Sequence, residues 1–307
     1  MTLSLRWKVA LTVLLSAGLA LAATPDDSWQ NSELAWRADY EKDLRAPTGW
    51  LTLVGLEWLK PGDNAFGSAS DNRIVLKGPA ASHLGLVRLT GQTIELLASG
   101  GGFPKGLQVD GHAPANPQNL QSDDSEHPSK LTLGSLLITV IHRGDRYALR
   151  IKDSQSPVRT NFHGLKWYAP NPAYRIRAKW IPYDPPKKDK VPTVLGTEVE
   201  ALVPGTAEFT LSGQTVRLEP TVDSMKDDGL FFVLSDTTGK TETYGAGRFL
   251  DADLPSHGLT QPGEVWLDFN RAHNPPCAYT PYATCPLPLP QNRLKVAIPA
   301  GEQRFHD

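Results

Sequence analysis

The chain has 307 residues, with 31 Lys or Arg against 33 Asp or Glu and a formal net charge of −2. That balance disfavours a nucleic-acid partner, and the length suffices for one large or two medium domains with real cores. Beyond the N-terminus no segment is apolar enough to cross a membrane.

The N-terminus carries Arg6 and Lys8, then an apolar run over 9–21 that ends in Ala20-Leu21-Ala22. Charge, length and small-residue ending match a secretory signal, so residues 1–22 are expected to be removed and the mature chain to be periplasmic or extracellular. The run is shorter than the ~20 residues that span a bilayer, and no cysteine follows the cleavage point to carry a lipid. Losing Arg6 and Lys8 takes the formal charge from −2 to −4.

Residues 28–44 place Trp29, Trp36, Tyr40 and Leu44 on one helical face, with Ser28 as N-cap and Pro47 beyond the end, so one N-terminal amphipathic helix is expected. Residues 49–59 are Gly-interrupted and β-branched, and read as buried strand and turn. Short alternating runs follow at 73–76, 86–90, 93–98, 136–142, 146–152, 174–181, 208–211, 215–218 and 230–235, each bounded by Gly, Pro, Asp or Asn. The spacing predicts a mainly β protein of two packed antiparallel units, sandwich or barrel-like, over 23–190 and 191–307. Gly144-Asp145 and Ser212-Gly213 are good hairpin turns. Residues 100–129 and 183–191 read as irregular connections. Gly100-Gly101-Gly102 lacks the strand, helix and following Lys of a phosphate cradle. Residues 89–96 resemble 211–218, which suggests a duplication or merely the narrow chemistry of tight turns.

Residues 143–190 hold twelve Lys or Arg against four Asp or Glu, and residues 191–307 hold eight against fifteen. Complementary packing of the two stretches is the simpler reading, and a basic frame for an anionic ligand is the alternative.

No Gly-x-Ser-x-Gly elbow, His-Glu-x-x-His, Walker loop or Cys-x-x-Cys is present. The chemistry-bearing residues gather in 264–294. A strand over 265–269 leads into a segment with Pro275, Pro276, Pro281, Pro286, Pro288 and Pro290, which neither helix nor central strand can cross. Asp268, Asn270, Arg271, Asn274 and Asn292 would hold this loop by hydrogen bonds or line a pocket. Arg248, after another candidate strand, would join the rim, and His163 occupies a similar position in its own segment. Asp268 beside Arg271 reads as a buried ion pair or as an acid with an anion clamp. Cys277 and Cys285 are the only cysteines, and in an exported chain they predict a disulfide pinning the loop. Zinc shared with His273 lacks a fourth ligand, so no metal and no cofactor is expected. Most of the tryptophans are core candidates, with one or two free to stack on a sugar.

Several stretches resemble one family. They are Gly49-Trp50-Leu51-Thr52-Leu53 with Trp58-Leu59, Asp236-Thr237-Thr238-Gly239 with Thr243-Tyr244, and Gly247-Arg248-Phe249-Leu250. To these add Asp268-Phe269-Asn270-Arg271-Ala272, Asn274-Pro275-Pro276-Cys277-Ala278, Cys285-Pro286-Leu287-Pro288, Asn292-Arg293-Leu294 and Ala300-Gly301-Glu302. Together they are similar to the bacterial and archaeal domain of unknown function 1684. The family has no established activity, so the resemblance implies a site region and not a reaction. Its pattern usually has Tyr where this chain has His273, which argues against His273 as a catalytic base or ligand. The expected function is binding of a small polar or anionic ligand in a pocket rimmed by Arg248, Asp268, Asn270, Arg271 and Asn274. An extracytoplasmic hydrolase using the same rim and a purely structural β domain are the alternatives.

Overall fold

The computed structural model describes residues 25–306, so the expected leader over 1–22 lies outside the described residues. A 20-residue helix, Pro25–Leu44, opens the described chain. Its inward face is not purely apolar: Glu33 and Arg37 are buried beside Leu44, with Trp36 and Tyr40 partly buried. The spacing 33, 37, 40, 44 is helical, but two of its members are charged.

The first β unit is a sandwich of two five-stranded sheets. One runs in the order Leu53–Trp58, Arg146–Asp153, Leu136–Arg143, Lys130–Leu133, Gln108–Val109; the other runs Ile74–Val75, Gly62–Gly67, Gly85–Thr90, Thr93–Leu97, Gln118–Asn119. All pairings are antiparallel except the short one between Gly62–Gly67 and Ile74–Val75. Alternating side chains turn inward, so Phe66, Val87 and Leu96 of one sheet meet Ile138, Val140 and Leu149 of the other in one core. The 100–129 connection contributes only two-residue strands and otherwise stays irregular, as its composition implies.

The second unit has a four-stranded sheet, ordered Gln214–Leu218, Glu198–Leu211, Arg175–Pro192, Gly263–Asp268, and a two-stranded ribbon, Gly229–Leu234 with Arg248–Asp253. Trp180, Phe209 and Leu267 of the sheet pack on Phe232, Leu234 and Leu250 of the ribbon. The fold is therefore mainly β with several antiparallel sheets and an N-terminal helix, and none of these sheets closes into a barrel.

Two expectations change. Residues 183–191 are not a connection but part of the 18-residue strand Arg175–Pro192. Pro185 and Pro186 fall where the ladder is interrupted, between the pairs at Pro182 and Lys187, so the missing donors break no pairing. The second unit accordingly begins at this strand, and the boundary expected at 190 lies inside it. The two similar hairpins also turn at different residues, Gly91-Gln92 between Thr90 and Thr93 but Ser212-Gly213 between Leu211 and Gln214. Ser212 and Gly213 both have positive φ, 51° and 74°, as a two-residue primed turn requires. The likeness of the two stretches is that of turn chemistry.

The basic stretch meets the acidic one strand by strand. Lys188 pairs with Glu200 at 3.0 Å, Lys187 with Glu219 at 2.8 Å, and Arg177 with Glu264. Among the described residues no helix is long and apolar enough to cross a membrane.

Candidate functional site

The strand Gly263–Asp268 ends in a 3-10 turn, Phe269–Arg271, capped by Asp268, whose Oδ1 accepts from the Asn270 N–H at 3.1 Å. The turn reverses the chain under the N-terminal helix. Its backbone is fixed from three sides. Asn270 is fully buried; it donates from Nδ2 to Asp268 Oδ1 at 2.8 Å and to the Asn171 carbonyl at 3.0 Å, and accepts from the Asn171 N–H at 2.8 Å. Arg37 of the helix donates to the Asn270 carbonyl at 3.3 Å and to that of Tyr168 at 2.8 Å. Gly301, at φ +81°, lies so close beneath the turn that a Cβ there would stand 2.3 Å from the Ala272 carbonyl oxygen.

One side of this turn faces a cavity of about 200 Å³ lined by Trp29, Glu33, Arg175, Trp266, Asp268 and Arg271, with Asp251 and Asp253 at its edge. Glu33 is fully buried and receives Arg271 at one oxygen only, Oε1, at 2.8 Å from Nε and 2.7 Å from Nη2. Its other oxygen, Oε2, is buried with no partner. Asp268 Oδ2 accepts from the Trp29 indole N–H at 3.2 Å and has Arg175 at 3.8 Å. Trp266 is half exposed, with the Arg175 guanidinium 4.9 Å from its ring centre. The arrangement offers one orphaned acceptor, two arginines and an aromatic wall.

The other side faces a larger cavity, about 610 Å³, between Tyr40, Trp50, Phe249, His273, Asn274 and Tyr279. His273 packs against Tyr40 and Phe249 with ring centres 4.9 and 6.0 Å apart. An aromatic ring is what this position needs. Burial pushes the His273 pKa down, so the imidazole is neutral, and its Nδ1–H donates to the Arg271 carbonyl at 3.2 Å.

The model of the protein family of unknown function DUF1684 matches residues 160–303. An uncharacterised protein of Haloarcula marismortui, solved in solution by NMR, is 32% identical over 47% of this chain and 78% of that one, with a TM-score of 0.40. This chain belongs to the DUF1684 family. No curated protein matches it. The DUF1684 match spans the second β unit, the turn at 269–271 and the tail at Gly301-Glu302; the helix that completes both cavities lies before it.

Of the residues expected on one rim, the structure brings Asp268 and Arg271 to the smaller cavity and Asn274 to the larger one. Arg248 belongs to neither. It is 1% exposed, donates to Asp236 Oδ2 at 2.7 Å and to the Ile298 carbonyl at 3.0 Å, and also holds the Ala300 carbonyl. It braces the C-terminal tail, so no anion clamp forms between Arg248 and Arg271. Asn270 is likewise spent on the backbone, and Asn292 holds Glu219 and Val233. Arg271 pairs with Glu33 instead of Asp268, because Asp268 already serves the turn.

The expected disulfide is absent: Cys277 and Cys285 are free thiols. The 3-10 turn Pro276–Ala278 presents the Cys277 N–H to Cys285 Sγ at 3.3 Å, and the two sulfurs are not bonded. Hydrogen bonding to Cys285 brings the Cys277 thiol down to about 7. Among the described residues no cluster of three or more His, Cys, Asp or Glu could hold a metal ion.

Glu33, Arg175 and Glu302 are the polar members that sequence reasoning missed. Glu33 sits on the helix face taken as apolar, and the signal that could have found it was its helical spacing from Tyr40 and Leu44.

Proposed function

We propose that this DUF1684 protein is an exported binding protein whose ligand occupies the cavity between Trp29, Glu33, Trp266 and Arg271. The observation that carries the reading is that Glu33 lines this cavity and keeps a fully buried acceptor, Oε2, without a donor. A buried polar atom left unmade costs about 1–3 kcal/mol, and a ligand N–H or O–H would satisfy it. Four carboxylates, Glu33, Asp251, Asp253 and Asp268, face two arginines, Arg175 and Arg271. Their excess favours a neutral hydroxylated or cationic ligand over a simple anion. The half-exposed Trp266 supports a flat hydroxylated face such as a sugar's. The leader-like residues 1–22 support export.

Asp268 already accepts from Trp29 and twice from Asn270, so its oxygens are committed to holding the turn and the helix. Isothermal titration of the mature protein with a set of monosaccharides, short polyamines and inorganic phosphate tests the reading. A sugar or amine should bind saturably and raise the melting temperature, Trp266→Ala should weaken it at least fivefold, and phosphate should not bind. Phosphate binding alone, or binding unchanged by Trp266→Ala, would overturn it.

A further inference from the structure

The larger cavity shares no lining residue with the smaller one. Along the helix the two are separated by the seven residues from Glu33 to Tyr40, about 10 Å at 1.5 Å per residue. Its walls are rings: Tyr40, Trp50, Phe249, His273 and Tyr279. Among its polar lining residues Asn274 is fully buried.

The orientation of the Asn274 amide is fixed by its partners. Nδ2 donates to Glu302 Oε1 at 2.6 Å and to the Gln303 carbonyl at 2.9 Å, both acceptors, so the group cannot be turned over without losing both bonds. The Asn274 backbone N–H holds the other oxygen of Glu302 at 2.8 Å, and Tyr279 Oη–H donates to Oε1 at 2.7 Å. Every atom around the amide is therefore engaged, and Oδ1 is left buried without a donor. A native interior satisfies nearly all of its buried polar atoms, and an exception asks for a partner from outside. His273 adds a second acceptor to the same walls. Its Nδ1–H is taken by the Arg271 carbonyl, so Nε2 carries the ring's free lone pair. Both groups demand donors and neither supplies one. Aromatic walls favour a flat ring, which stacks or meets them edge-on at little conformational cost. Asp43 at the cavity edge disfavours an anionic substituent.

We propose that this cavity is a second binding site, for a planar aromatic molecule that carries an N–H or O–H donor and no negative charge, with Asn274 Oδ1 as the receiving atom. It is independent of the sugar or amine site and does not rest on it.

The test uses two probes of nearly equal shape, indole and 1-methylindole, which differ in the donor. Isothermal titration of the mature protein should give saturable binding of indole about tenfold tighter than of 1-methylindole, the discrimination expected of a site built around a hydrogen bond. Thr48 is exposed and lines the entrance. Thr48→Trp should fill the mouth, lower indole affinity at least tenfold and leave the melting temperature unchanged, so that loss of binding is separated from loss of fold. Indole-2-carboxylate should bind more weakly than indole. Equal binding of indole and 1-methylindole would mean that Oδ1 takes no part and would overturn the proposal. So would indole binding indifferent to Thr48→Trp, or no binding at millimolar indole, the result expected if ordered water alone satisfies Asn274.

Discussion

Arg248 opens one strand and Arg271 follows another, and burial divides their roles. Arg248 and its partner Asp236 are both 1% exposed, and the guanidinium also holds two tail carbonyls. Arg271 is 38% exposed, with its guanidinium 5.6 Å over Trp36, while its partner Glu33 is fully buried. Removing Arg271 takes away the one ion pair of the buried Glu33 carboxylate and leaves only the field of Arg37, one helical turn on. Breaking such a pair costs about 3–5 kcal/mol, and the partial exposure of Arg271 places the loss near the lower end. Arg271→Ala should therefore unfold at lower urea, and adding Glu33→Gln should recover most of the loss by removing the stranded charge. Equilibrium urea titrations of the wild type, the single and the double variant check this. An Arg271→Ala midpoint equal to that of the wild type would show that Glu33 needs no counter-ion, and the ion pair would lose its structural role.

The turn at 269–271 and the tail at 300–303 form one locked element, joined through Glu302. Its N–H donates to the Ala272 carbonyl at 2.8 Å, and its carboxylate receives Asn274 and Tyr279. Burial pushes the Glu302 carboxyl up to about 7 against these donors, compared with an unfolded value near 4.3. The folded state then takes up a proton between those values. The contribution of Glu302 to stability is fully present below about pH 4.3 and is lost as pH rises through 7. His273, lowered by burial, works with the opposite sign, present above the unfolded value near 6.5 and lost as pH falls through the folded one. The wild-type curve mixes the two, so the difference between wild type and Glu302→Gln is the quantity to measure. Urea titrations from pH 4.5 to 7.5 should show the wild type's advantage over the variant shrinking by about 3 kcal/mol; a constant difference would mean that Glu302 stays ionised throughout. The strands were legible element by element because half-buried β-structure alternates, as at 86–90 and 146–152. The strand through 183–191 was hidden by two prolines that reside at a break in its ladder. That Asp268 and Arg271 line one cavity was legible because polar residues crowded a segment that cannot be regular structure. Glu33 and Glu302 were not: helical spacing places Glu33 on the inward face, but nothing in the sequence shows that a distant turn supplies the partner a charge there needs.

The two β units are joined by the proline-rich loop more than by their own sheets. Leu53 of the first unit packs against Val233 and Phe249 of the second with Ala283 and Cys285 of the loop between them, and Thr280 donates to the Leu53 carbonyl at 3.0 Å. A second contact places Leu51 beside Tyr279 and Phe162. In both, the rings and small side chains of 277–285 fill space that neither unit could fill alone, and the prolines fix the loop's shape before it docks. Each unit keeps its own core, built on Phe66 and Val140 in one and on Trp180 and Phe232 in the other. The mortar should therefore be separable from the bricks. Ala283 is 2% exposed, and Ala283→Asp would bury an unpaired carboxylate there at a cost of several kcal/mol. That cost falls on the junction and not on either core. Wild-type urea unfolding should be a single transition, coincident by far-ultraviolet circular dichroism and tryptophan fluorescence. In Ala283→Asp the two probes should part, because among the described residues only Trp58 of the tryptophans lies in a strand of the first unit, so fluorescence follows the second unit and the junction while dichroism follows both. Coincident transitions at a lower midpoint would mean that the units unfold as one body, and an unchanged midpoint would deny the loop its joining role.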